Sequence, residues 1–238
     1  MFNLNNKTFV ITGTSSGIGF HLASNICKLK CKVIGISRKK TLINHKNFKN
    51  INGDINSIND IEYFYKTIKK KYKKIDVLIN NAGLSKSGYN LSNFNANIQT
   101  NLISTFSLTK KFITLFNSKG GNIINISSIA SKYGFSNNPG YNASKAGLNS
   151  LTQSIANDYS KTNIRCNSIL LGYFKTRMTE KSFNSHKLKK QREDKTMLQR
   201  WGKKKEILGP ILFLSSDLSS YITGQNIIVD GGWTSKSI

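Results

Sequence analysis

Residues 7–37 read KTFVITGTSSGIGFHLASNICKLKCKVIGIS. Lys7 to Thr12 is a short, apolar, β-rich run, and a cluster of glycines follows it. Ile18, Leu22, Ile26 and Leu29 then recur at the spacing that puts them on one face of a helix. Lys32 to Ser37 is a second β-rich run. Strand, turn, helix and strand within 31 residues make a β-α-β unit, whose two strands are parallel and whose crossover is right-handed.

The alternation continues in both kinds of element. A short strand is expected near Phe48 to Ile51, and a helix after Asn59 carries Ile61, Phe64, Ile68 and Tyr72 on one face. Further strand candidates are Ile75 to Asn80, Gly121 to Ser127, Ile164 to Ile169 and Asn226 to Asp230, with Leu148, Leu151, Ile155 and Tyr159 marking a helix between two of them. About seven strands alternating with helices predict an α/β fold: a doubly wound, mostly parallel, seven-stranded sheet with helices on both faces. One domain spanning 1–238 accommodates it, and ligands of such sheets lie at the carboxyl ends of the strands. Two polar stretches interrupt the pattern, Ser85 to Asn97 and Lys175 to Lys205. The second reads as a substrate lid around 175–205.

Lys and Arg outnumber Asp and Glu by 36 to 11, a net charge of +25. Such a surplus raises the question of polyanionic partners. The cations are dispersed in short clusters without an aromatic-interleaved stripe or a nucleic-acid-binding module, so the basicity reads as composition, and neither nucleic acid nor membrane is expected as a partner. Cys27, Cys31 and Cys166 are an odd number of thiols without a secretory leader, which suits a reducing, cytoplasmic location and a packing role.

Thr12-Gly13-Thr14-Ser15-Ser16-Gly17-Ile18-Gly19 lies where the first strand gives way to the first helix. Glycine there lets the backbone approach a pyrophosphate, and the helix N-terminus favours the anion. Gly13, Ser15, Ser16, Gly17, Ile18 and Gly19 are accordingly candidate cofactor-binding residues. The end of the second strand bears on which dinucleotide is held. An acidic residue there would bind ribose hydroxyls and repel a 2′-phosphate, but this chain has Ser37, Arg38 and Lys39. A guanidinium can hold a phosphate bidentately, so Arg38 favours NADP(H), with NAD(H) still open. Tyr141 and Lys145, four apart on a helix, share one face. A neighbouring ammonium stabilises a phenolate, bringing a phenol towards working range.

These motifs, in this order, resemble those of the short-chain dehydrogenase/reductase superfamily. TGTSSGIG looks like its cofactor fingerprint, and Asn80-Asn81-Ala82-Gly83 like its NNAG sequence, so Asn81, Ala82 and Gly83 join the cofactor set. Tyr141-Asn-Ala-Ser-Lys145 is similar to its YxxxK, and Ser128 precedes Tyr141 by the family's usual 13 residues. Asn101 falls where the family has an active-site asparagine whose backbone holds a water, although a buried structural Asn would look the same. The resemblance implies Tyr141 as general acid/base, Ser128 as hydrogen-bond donor to the reacting oxygen and Lys145 as ligand of the nicotinamide ribose. It also implies Asp54 beside the adenine, where a plain turn aspartate is the alternative, and Thr176 at the carboxamide or pyrophosphate. The chemistry calls on no metal.

One departure stands out. Where the family has Pro-Gly after the sixth strand, this chain has Leu171-Gly172-Tyr173-Phe174, and losing that fixed φ predicts a looser entrance to the lid. The lid is rich in Lys and Arg, which suits an anionic or carrier-bound substrate. Arg200-Trp201-Gly202 and the segment from Tyr221 resemble sugar and polyol dehydrogenases such as gluconate 5-dehydrogenase, and the general motifs resemble 3-oxoacyl carrier-protein reductases equally well. The expected activity is hydride transfer between a nicotinamide and a small carbonyl or secondary alcohol, in a homotetramer. A catalytically silent nucleotide-binding regulator of the same fold is the alternative.

Overall fold

In a computed structural model residues 4–236 are described. Seven strands, β1 (Thr8–Thr12), β2 (Lys32–Ser37), β3 (Phe48–Asn52), β4 (Val77–Asn80), β5 (Gly121–Ser128), β6 (Ile164–Leu171) and β7 (Asn226–Val229), form one sheet in the order β3-β2-β1-β4-β5-β6-β7. Every pairing is parallel. Eight helices flank them: α1 (Gly17–Ile26), α2 (Ile58–Tyr72), α3 (Leu91–Ile98), α4 (Ser104–Phe112), α5 (Pro139–Tyr159), α6 (Glu180–Asn184), α7 (His186–Asp194) and α8 (Lys205–Ser215).

The central strands are apolar on both faces because both faces are covered. The period of two divides β1 cleanly: Phe9 and Ile11 belong to a core shared with Leu22 of α1 and Ile211 of α8, whereas Val10 belongs to the opposite core with Phe64 of α2 and Ile155 of α5. The doubly wound, single-domain fold expected from the sequence is therefore the observed one.

Strand ends differ from the sequence reading for local reasons. β4 begins at Val77 rather than Ile75, because the Asp76 carboxylate takes the Thr8 amide at 2.7 Å and Ile75 makes only an isolated bridge to Phe116. β6 runs on to Leu171, paired on both sides. β7 stops at Val229, since the Asp230 carboxylate turns back to accept from the amides of Gly232 and Thr234.

The two polar interruptions also hold helices. Within 85–97, Asn90 caps α3 by accepting from the Asn93 amide at 2.8 Å, and Gly140 admits the backbone of Phe94 against α5. Within 175–205, Thr176 and Thr179 close a reciprocal capping box, and Ser185 caps α7. Neither α6 nor α7 buries a residue fully, and the segment is anchored by Trp201, which is buried.

The chain leaves β1 in one direction towards β2 and returns on the other side at β4. At that reversal the carboxyl ends of the strands diverge and open a crevice. Gly13, Arg38, Asn81, Ser128 and Gly172 each lie at or just beyond a strand's end along it.

Candidate active site

A cleft of about 470 Å³ lies above the carboxyl ends of the strands. Its lining includes Gly13, Ser15, Ser16, Gly17, Ile18, Arg38, Asp54, Asn81, Ala82, Gly83, Ser128, Tyr141, Lys145 and Thr176. Of the residues expected at the site, only Gly19 and Asn101 are not among its lining.

The glycine turn is built for close approach. Gly13 has φ +77°, and a side chain at Gly19 would come within 2.4 Å of the Gly13 carbonyl oxygen and the Asn81 amide nitrogen. The turn is thus folded directly against the loop after β4. Thr12 makes that join: its hydroxyl accepts from the amides of Asn81 and Ala82 at 3.0 and 2.9 Å, while the Asn81 side chain donates to the Thr12 carbonyl at 2.9 Å. No side chain caps α1 and no acid occupies its first turn, so its N-terminus keeps its amides and dipole for an anion. These features fit the pyrophosphate of a dinucleotide.

At the other end of the crevice, Arg38 is exposed and stands 3.8 Å from the Asp54 carboxylate, which itself also accepts from the Asn56 amide. Asp54 is therefore a turn residue as well as part of the cleft wall.

Tyr141 and Lys145 lie in the first two turns of α5, the ammonium 5.8 Å from the centre of the phenol ring. Lys145 is 5% exposed and donates to the Ile126 carbonyl at 2.8 Å. Burial pushes its pKa down to about 8. Burial also raises the Tyr141 phenol above its ordinary range, and the Ser128 hydroxyl pulls it the other way. The sequence had pointed to the ammonium as lowering the phenol's pKa, but burial dominates and raises it. Ser128 ends β5 half-buried, its hydroxyl accepting from the Ala130 amide at 3.1 Å. Ser127 is buried, its hydroxyl donating weakly to the Lys145 carbonyl at 3.4 Å.

Asn101 lies in a π-helical turn, Gln99–Ile103, between α3 and α4. Its side chain is fully engaged: it accepts from the Leu84 amide and donates to the Leu84 carbonyl and the Ser144 hydroxyl, at 2.9, 2.9 and 3.0 Å. Gly83 closes this corner, since a Cβ there would lie 3.0 Å from the Asn101 side-chain oxygen and 3.7 Å from the Lys145 nitrogen.

Gly172 cannot carry a side chain, because a Cβ would meet Asp230 at 2.7 Å. The missing proline does not loosen this corner: the Gly202 amide donates to the Tyr173 carbonyl at 2.9 Å, and Phe174 is buried. Sequence reasoning gave no role to Thr12 or to Phe135, Asn138 and Tyr173, which also line the cleft. Thr12 was signalled by its place in the glycine turn; the others had no local pattern to announce them.

Comparison with known proteins agrees with this architecture. The model of a family described as enoyl-(acyl carrier protein) reductase matches residues 13–234. The 2-dehydro-3-deoxy-D-gluconate 5-dehydrogenase of Escherichia coli K12 is 32% identical, over 99% of this chain and 98% of that protein. The 3-oxoacyl-acyl-carrier-protein reductase of Thermotoga maritima is 33% identical, over 96% and 98%. The solved structure of Thermoplasma acidophilum aldohexose dehydrogenase superposes with a TM-score of 0.92 at 28% identity, covering all of this chain and 98% of that one. A glycine turn, an NNAG loop and a Ser-Tyr-Lys set around one crevice, together with these matches, place the chain in the short-chain dehydrogenase/reductase superfamily, as an NAD(P)-dependent oxidoreductase of hydroxyl and carbonyl groups.

Proposed function

We propose that this oxidoreductase uses NADP(H) in preference to NAD(H), and that Tyr141 exchanges the proton while hydride passes between cofactor and substrate. The observation that carries this reading is the meeting of Ser128, Tyr141 and Lys145 in the cleft that also holds the glycine turn. The bound nicotinamide supplies the hydride; the protein aligns groups and handles the proton.

In the reducing direction Tyr141 donates its proton to the carbonyl oxygen as charge develops there, and the Ser128 hydroxyl hydrogen-bonds the same oxygen. Oxidation runs the same path in reverse. Lys145 bonds the nicotinamide ribose, and the Asn101 backbone holds a water that links Lys145 to solvent. Gly13, Ser15, Ser16, Gly17 and Ile18 would cradle the pyrophosphate with Gly19 packed behind them, Asp54 would lie beside the adenine, Asn81, Ala82 and Gly83 would support the adenosine side, and Thr176 would meet the carboxamide end. Arg38, exposed beside the adenosine end, pairs with the 2′-phosphate.

The substrate is a sugar acid or polyol, or a 3-oxoacyl compound, covered by the segment 175–205. Similarity to both kinds of enzyme supports this range. Among the described residues no helix is long and apolar enough to cross a membrane. With three free, buried thiols the chain suits a reducing compartment, and we place it in the cytoplasm as a homotetramer.

The test is a substrate screen with NADPH and NADH side by side. NADPH is expected to bind about tenfold more tightly and to be turned over with one of these carbonyl classes. NADH binding better by a similar factor contradicts the role of Arg38, and cofactor binding without turnover of any carbonyl favours a silent regulator.

A further inference from the structure

Behind Ser128 lies a chain of hydrogen bonds that the hydride and proton transfers do not use. Ser128 ends β5 and opens a single tight helical turn, Ile129–Ser131. Its hydroxyl oxygen accepts from the Ala130 amide, and its own proton has no acceptor among the described hydrogen bonds, so that proton is left for an oxygen in the cleft. Ser131 closes the turn, its hydroxyl donating to the Ser128 carbonyl at 2.6 Å.

Ser131 is held in turn from α5. The Asn149 amide nitrogen donates to the Ser131 hydroxyl at 2.7 Å, and the Asn149 side-chain oxygen accepts from the buried Ser168 hydroxyl of β6 at 3.3 Å. With both ends engaged, the amide is fixed in one orientation. Tyr141, Lys145 and Asn149 follow one another at four-residue intervals along α5, which puts them on one face. The helix that carries the phenol is therefore tied, through Asn149, to the turn that carries Ser128. An amide only 9% exposed is costly unless it is bonded, and an apolar side chain would fill the same space without that demand.

We propose that Asn149 and Ser131 are positioning residues for the proton transfer, which together set the separation of Ser128 from Tyr141 and aim the Ser128 hydroxyl at the reacting oxygen. The inference rests on the roles given above to Ser128 and Tyr141, and adds two residues that do not line the cleft. Ser128 pulls the phenol's pKa down against burial, so a loosened turn also changes the environment of the phenol.

Two readouts test it. Carbon-labelled tyrosine NMR, with Tyr141→Phe to assign the signal, reports ionisation and hydrogen bonding of the phenol without any substrate. Ser131→Ala and Asn149→Leu are expected to move the Tyr141 signal in the direction of the Ser128→Ala shift, Ser131→Thr to return it, and neither loss to move it further in the Ser128→Ala background. The second readout is reduction of 5-keto-D-gluconate and of an acetoacetyl thioester by NADPH. Ser131→Ala and Asn149→Leu are expected to lower kcat about three- to thirtyfold with KM within about twofold, and to add less than about twofold in the Ser128→Ala background. Ser131 is half-buried, so Ser131→Ala keeps the test open if Asn149→Leu does not fold, and thermal unfolding checks each variant. A Tyr141 signal unmoved by both variants, or losses in kcat that persist in full without the Ser128 hydroxyl, overturns the proposal. An undiminished rate in Tyr141→Phe marks failure of the underlying reading instead; where neither carbonyl is turned over, the NMR outcome decides.

Discussion

Lys145 is a cation buried to 5% exposure whose ammonium makes one hydrogen bond among the described residues, to the neutral Ile126 carbonyl. Burial lowers its pKa from 10.5 to about 8. The unfolded chain therefore holds a proton at this site between about pH 8 and 10.5 that the folded chain has released, so stability rises with pH across that window. Below it, both states are charged and the fold bears the full penalty. Measured against Lys145→Met, which removes the titration, wild-type stability is expected to gain on the order of 3 kcal/mol from pH 7.5 to 10.5. Urea unfolding at both pH values reads it, and a gap that stays constant or narrows contradicts the burial. The sequence identified Lys145, Tyr141 and Ser128 because helical spacing and a strand end carry that information. It could not reveal that the phenol is buried deeply enough for its pKa to rise, because burial is set by residues distant in the chain.

At the scale of elements, legibility followed apolar content. β1 and β2 were readable by their mostly apolar runs, since strands covered on both faces favour them. The helix α7, HKLKKQRED, has no apolar stripe to read. It is held by the Ser185 cap and by solvent-exposed i,i+4 pairs such as Lys190 with Asp194, which are weak. The turn from β1 to α1 is the reverse case, a few residues under tight steric control. Gly19→Ala would force a methyl within 2.4 Å of the Gly13 carbonyl and the Asn81 side chain. A loss of about 1–3 kcal/mol in stability is expected, the usual cost of overpacking, together with loss of dinucleotide binding. Thermal unfolding and cofactor titration would check both, and a variant that binds cofactor as the wild type does removes the glycine turn from the account.

The whole molecule carries a net charge of +25, and its cations far outnumber the partners available to them. Self-repulsion of that size opposes compactness and is screened by salt. The melting temperature is expected to rise from about 50 to 500 mM NaCl, where the Debye length falls below about 10 Å; a fall would mean that surface ion pairs dominate instead. Neither assembly nor substrate was legible at this scale, because both depend on surfaces that apolar periodicity does not encode. What holds the molecule together functionally is the crevice where the order of strands reverses, with Tyr141 at its substrate end. The most direct measurement is single-turnover hydride transfer by Tyr141→Phe, with NADPH affinity determined on the same protein. Cofactor binding is expected to stay within about twofold of wild type while the chemical step slows by roughly 10²–10⁴-fold. A variant that binds NADPH normally and keeps more than about a tenth of the wild-type rate contradicts Tyr141 as the proton donor.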